Sequence, residues 1–233
     1  MEAGNPLLDD YVLGVAAAAG ARERPKVCFL PTASGDADHY VVRFYRHFPA
    51  SRCESSHVSL FRRDCGTDDL RAHLLDQDLV YVGGGSVICL MGVLRAHGLD
   101  VALREAWEAG VVLCGLSAGS LCWFSEAMTG YHGASRPVAG IGLIPASNAV
   151  HYDKEPHRRP AYHAAVAGGM PGGYAVEDGA ALHFAGEDLA RVVSSRPGAR
   201  AYRVDAVSGE AVELSLATDY LGATPAEEAV LAA

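Results

Sequence analysis

Gly115-Leu116-Ser117-Ala118-Gly119 has the spacing G-x-S-x-G and directly follows the apolar run Val111-Val112-Leu113-Cys114. A serine between glycines on a strand-to-helix turn suits nucleophilic attack. The glycines let the chain bend tightly and keep neighbouring side chains clear of the Oγ. A helix is expected to begin after it, over Ser120-Leu121-Cys122-Trp123-Phe124. Its N-terminus would favour negative charge developing beside the serine. The alternative is a small-residue turn that only packs a strand against a helix.

A second glycine loop, Gly83-Gly84-Gly85-Ser86, follows the apolar run Leu79 to Val82. If the two runs are neighbouring parallel strands, their loops meet at one sheet edge. One N–H from Gly84 or Gly85, with that of Ala118, would then form a pair of donors for an oxyanion. The loop otherwise reads as a tight turn or a phosphate cradle. No G-K-[ST] follows it and no G-x-G-x-x-G is present, which argues against a nucleotide loop.

A serine nucleophile needs a base, and ten histidines are available. His39, His47, His73 and His97 fall in helical segments, and His57 precedes a strand. His157 and His163 lie in the polar stretch from Asp153 to His163, and His183 alternates within a strand-like run. His151 closes the segment from Leu143 to Val150 and would emerge near Ser117, so it leads these rivals as general base. Glu177-Asp178-Gly179 precedes the run Ala180 to Phe184, and either carboxylate could orient an imidazole. A metal is not expected. His151, Asp153, Glu155, His157 and His163 cluster, but Pro156 and Pro160 break helical i, i+4 geometry and no H-E-x-x-H or C-x-x-C occurs.

These residues need a scaffold. The 233 residues are 50% hydrophobic and 20% charged, ordinary usage for a globular chain with a large core. A net charge of −9 argues against nucleic acid as a partner. No apolar run has the 18 or so residues of a membrane span, and the start lacks a signal-peptide pattern. The six cysteines form no C-x-x-C pair and lie mostly in apolar stretches, so free thiols in a reducing cytoplasm are expected. With no repeat or linker, residues 1–233 read as one domain, with 1–25 a helical N-terminal extension.

Short apolar runs at Val27–Leu30, Leu79–Val82 and Val111–Cys114 alternate with helical patterns at 38–48, 68–75, 87–97 and 100–109. This predicts an α/β fold: a doubly wound, mostly parallel sheet flanked by helices. Beyond residue 180 the runs are strand-like and separated by the turn signals Gly186-Glu187-Asp188 and Ser208-Gly209. They predict extra C-terminal β-strands at one edge. Residues 225–233 suggest a frayed helix.

Val82-Gly83-Gly84-Gly85-Ser86, Gly115 to Ser120 and a histidine ending the next strand together resemble the peptidase E (aspartyl dipeptidase) family. That family is related to cyanophycinase and has a fold like the class I glutamine amidotransferases. The resemblance runs from about Val27 to Val204. It implies a serine peptidase without metal or organic cofactor. It puts the nucleophile on Ser117, the base on His151 and the oxyanion donors on Gly85 and Ala118. It puts the acid on Asp178, before Gly179, where the family commonly has glutamate. An arginine that grips the substrate carboxylate falls on Arg159 ahead of its neighbour Arg158. The stretch Trp123 to Val138, with Tyr131, lacks the aspartate of the well-known members and suggests a different pocket wall.

The expected partner is a small peptide, one with an N-terminal aspartate among the candidates, cleaved by a monomer or homodimer. Alternatives are an esterase or amidase on the same groups, or a non-catalytic module that binds a small ligand. An amidotransferase would need a cysteine where Ser117 stands, and Cys114 lies inside the strand.

Overall fold

The computed structural model describes the chain except residues 3, 21, 23, 63–68, 131–132 and 224–233. Cys65, Tyr131 and the expected helix at 225–233 therefore lie outside the described residues. The first half alternates as its apolar pattern dictates: α1 (Leu7–Ala19), β1 (Lys26–Leu30), α2 (Asp38–His47), β2 (Glu54–His57), α3 (Leu70–Leu75), β3 (Leu79–Val82), α4 (Val87–Ala96), α5 (Leu99–Glu108) and β4 (Val112–Gly115). The four strands form a parallel sheet in the order β2-β1-β3-β4.

Side chains of a strand alternate between faces, and β1 shows what each face meets. Val27 and Phe29 enter a cluster with Leu13 and Ala16 of α1 and Phe44 of α2. Cys28 and Leu30 enter another with Leu74 of α3, Leu90 and Leu94 of α4, and Leu103 of α5. Helices thus cover both faces, which is why these strands read as continuous apolar runs. α4 starts where the Ser86 hydroxyl accepts the N–H of Cys89 at 3.2 Å.

After β4 the chain makes one helical turn, α6 (Ala118–Leu121), and runs into β5 (Phe124–Thr129). The longer helix expected through Phe124 does not form. Phe124, Ala127 and Met128 are buried on a sheet instead. The remaining elements are β6 (Arg136–Ala139), β7 (Ile144–Ala149), α7 (Arg158–Ala167), β8 (Gly173–Val176), β9 (Ala180–Ala185), β10 (Asp188–Ser194), β11 (Ala201–Val207), β12 (Glu210–Ser215) and β13 (Asp219–Tyr220).

A second sheet has the order β12-β11-β8-β7-β5-β6. Its central strands β5, β7 and β8 are parallel; β6 and β11 flank them antiparallel, and β12 pairs antiparallel with β11. A third, small sheet has the order β13-β10-β9. The extra C-terminal strands therefore split between an edge of the second sheet and a separate layer. Ser208 and Gly209 both adopt positive φ, 53° and 83°, as the tight β11–β12 turn requires. Phe124, Ala127, Ile144 and Ala146 of the second sheet share one core cluster with Leu30, Val80 and Val82 of the first. α7 packs on the second sheet's other side, where Tyr162 and Val166 meet Met128, Ala149, Ala175 and Val204. Among the described residues no helix is long and apolar enough to cross a membrane.

Candidate active site

Ser117 stands between β4 and α6 with φ 51° and ψ −116°. A side chain in this sparsely populated region marks a strained turn. The turn is held by close backbone packing. A Cβ on Gly119 would lie 2.1 Å from the Val82 carbonyl oxygen, so only glycine fits. The neighbouring loop has the same constraint. Gly85 has φ 144°, and a Cβ there would meet the Ala33 carbonyl oxygen at 2.1 Å. Ala118 is the first residue of α6, where an N–H has no intrahelical acceptor.

β7 delivers His151 to the same place. Its φ is 57°, and its carbonyl oxygen accepts the N–H groups of Lys154 and Glu155 in the turn that follows. His151 Nε2 lies 2.9 Å from Ser117 Oγ, and Nδ1 lies 2.7 Å from Asp178 Oδ1. A carboxylate only accepts, so Nδ1 carries the proton and Nε2 is left with its lone pair toward the hydroxyl. Asp178 sits on the turn between β8 and β9. Its backbone N–H donates to Asp153 Oδ1 at 2.9 Å. Burial opposes the Asp153 charge. The bonds from the Asp178 and Asp153 amides and from Lys154 outweigh it and hold the carboxyl below the usual range.

The adjacent Glu177 turns the other way. It accepts the N–H of Arg200 at 2.9 Å and the hydroxyl of Tyr202 at 2.8 Å. Of the two carboxylates open in the sequence, Asp178 faces the imidazole. Burial, then the charge of Asp9, pushes the Cys114 thiol up, so it packs rather than ionises.

Ser117, Ala118, Gly85 and His151 line a cavity of about 80 Å³. Arg159 is not part of it. Its Nη1 donates to Glu213 Oε1 at 2.9 Å, and its guanidinium stacks over Tyr152 at 4.6 Å and Tyr202 at 4.9 Å. Successive helical residues point about 100° apart, and α7 turns Arg158, rather than the expected Arg159, toward this cavity. Arg158 is 4% exposed and lines the cavity with Glu155 and Thr129. The sequence offered both arginines but not the existence of α7, because Pro156 and Pro160 hide it. Pro160 lies in its first turn, where proline costs little.

His163, from the polar stretch after His151, lies on α7, where its Nε2 is 2.9 Å from Glu213 Oε2 and 3.1 Å from the Tyr152 hydroxyl. His183 pairs with the Tyr11 hydroxyl at 2.7 Å, away from the serine.

The model of Peptidase family S51 matches residues 5–192. A relative from Bacillus subtilis (strain 168), described as an uncharacterized peptidase, YgaJ, is 44% identical over 223 residues, 95% of this chain and 94% of the relative. The fold resembles the crystal structure of a peptidase from an acI-B1 actinobacterium, with a TM-score of 0.66 at 18% identity over 91% of this chain and 92% of the other. It also resembles a putative peptidase E protein from Listeria monocytogenes EGD-e, with a TM-score of 0.54 at 16% identity over 88% and 93% of the two chains. The family expected from the glycine loop, the elbow and the histidine is the one found: this chain belongs to peptidase family S51 and is a peptidase.

Proposed function

We propose that the chain is a serine-type peptidase acting on short peptides, with Ser117 as nucleophile, His151 as general base and acid, and Asp178 as the orienting carboxylate. The observation that carries this reading is the continuous hydrogen-bonded line Ser117 Oγ–His151 Nε2 and His151 Nδ1–Asp178 Oδ1, at 2.9 and 2.7 Å. Nε2 takes the hydroxyl proton as Oγ attacks the peptide carbonyl. The C–N bond breaks, the same proton leaves with the amine, and an acyl-serine remains. A water, deprotonated by His151, hydrolyses this ester and restores the hydroxyl.

The N–H groups of Gly85 and Ala118 serve as donors to the oxyanion. One such donor typically contributes about 3 kcal/mol to the barrier. Both act through the backbone, which fits a loop where a Cβ is excluded at Gly85. The small cavity suits a substrate with a short side chain. Five free cysteines among the described residues suit a reducing, cytoplasmic setting.

A fluorophosphonate probe tests the assignment. Labelling of the wild type, lost in Ser117→Ala while the fold is retained, is the expected result. Equal labelling of both proteins, or none of either, overturns it.

A further inference from the structure

The cavity beside Ser117 carries an ion pair that acyl transfer does not use. Arg158 Nη2 donates to Glu155 Oε2 at 2.5 Å, and Nη1 donates to the Met128 carbonyl oxygen at 3.0 Å. The guanidinium is buried, and its Nε has no hydrogen-bond partner among the described residues. The adjoining walls, Val87, Leu121 and Val150, are apolar.

We infer that this pair makes the cavity a receptor for a short, neutral, amide-bearing side chain, with Glu155 the residue that rejects carboxylates. This rests on the reading of Ser117 as nucleophile: the side chain belongs to the residue whose carbonyl is attacked. A lone buried arginine would be a carboxylate receptor. Here one arm of the fork, Nη2, is already engaged by a carboxylate from the same chain, and the other, Nη1, by the Met128 carbonyl. A second carboxylate would stand beside Glu155 with like charge, in a site only partly screened by water. Such a repulsive element is how a pocket excludes the near-isosteric competitor. A primary amide has the opposite property. Its oxygen accepts from the guanidinium and its NH₂ donates to the Glu155 carboxylate, so one group satisfies both partners. A purely aliphatic side chain of the same size engages neither the guanidinium nor the carboxylate.

The test uses the dipeptides Asn-Leu and Asp-Leu, both as substrates and as competitors that protect Ser117 from a fluorophosphonate. With wild-type protein, Asn-Leu is expected to protect at least tenfold better than Asp-Leu and to be hydrolysed with the same preference. In Glu155→Gln, which removes the charge, the Asp-Leu to Asn-Leu ratio is expected to rise at least tenfold. Equal or better protection by Asp-Leu in the wild type, protection by neither dipeptide, or an unmoved ratio in a folded Glu155→Gln protein overturns the inference. The wild-type comparison decides it even if the variant does not fold. Failure of the probe to label wild-type Ser117 would instead remove the nucleophile reading itself.

Discussion

The carboxylate of Asp153 accepts the backbone N–H of Asp178 at 2.9 Å, so the loop leaving His151 holds the turn that carries the carboxylate facing it. Asp153→Asn weakens this tie. The expected cost is about 1 kcal/mol, at the low end for a charged acceptor because the site is half exposed. The Asp153 carboxyl is depressed in the folded state. Its stabilisation is therefore complete above the unfolded carboxylate value and lost as pH falls through the folded one. The difference between wild type and variant should be largest near neutrality and close below about pH 4. Urea midpoints at pH 7 and pH 3 check it.

Glu177 and Asp178 are separable by mutation. Asp178→Asn places an amide against Nδ1, which permits the wrong tautomer and a fall of roughly 10³–10⁴ in kcat. Glu177→Gln loses only an anchor to Arg200 and Tyr202, and roughly 1 kcal/mol of stability. A larger kcat loss in Glu177→Gln than in Asp178→Asn would reverse the roles.

Ser117 is held at φ 51°, which glycine tolerates and alanine does not. Ser117→Gly should therefore be more stable than Ser117→Ala by about 1 kcal/mol, with hydrolysis abolished in both. Thermal melts of the two inactive variants give the comparison.

Gly119→Ala places a methyl 2.1 Å from a backbone oxygen of β3. Neither chain can yield without breaking the elbow, so a loss of roughly 3 kcal/mol or more is expected. A soluble variant with the wild-type melting temperature would contradict the packing described here.

Arg159→Ala removes a guanidinium that lies against the rings of both Tyr152 and Tyr202 and is paired with Glu213. Being partly exposed, it should cost only about 1 kcal/mol. Its effect on the relative protection by Asn-Leu and Asp-Leu should be nil. A changed ratio would return Arg159 to the pocket.

Much of the site was legible because its parts are local. The elbow needs only a buried strand, small residues and a serine, all contiguous from Val111 to Gly119. His151 follows from closing the segment Leu143 to Val150, whose end emerges near the elbow. What was not legible depends on partners distant in sequence. Trp123 and Phe124 continue an apolar run that suits a helix as well as a strand, and only pairing with β6 and β7 decides for β5. β8 is four residues long and begins at Gly173, beside the Ser147 backbone, so no periodicity announces it. The choice between Arg158 and Arg159 turned on the phase of a helix masked by two prolines.

The two loops that carry His151 and Asp178 are moored to strands that contain none of the reacting atoms. Tyr152 donates to Glu213 of β12, and Glu177 is gripped by Arg200 and by Tyr202 of β11. A chain cut after β10 would keep every atom of the proposed chemistry and lose the struts that set their spacing. Inactivation by proteolytic trimming from the carboxyl end should therefore precede any loss of the catalytic residues themselves.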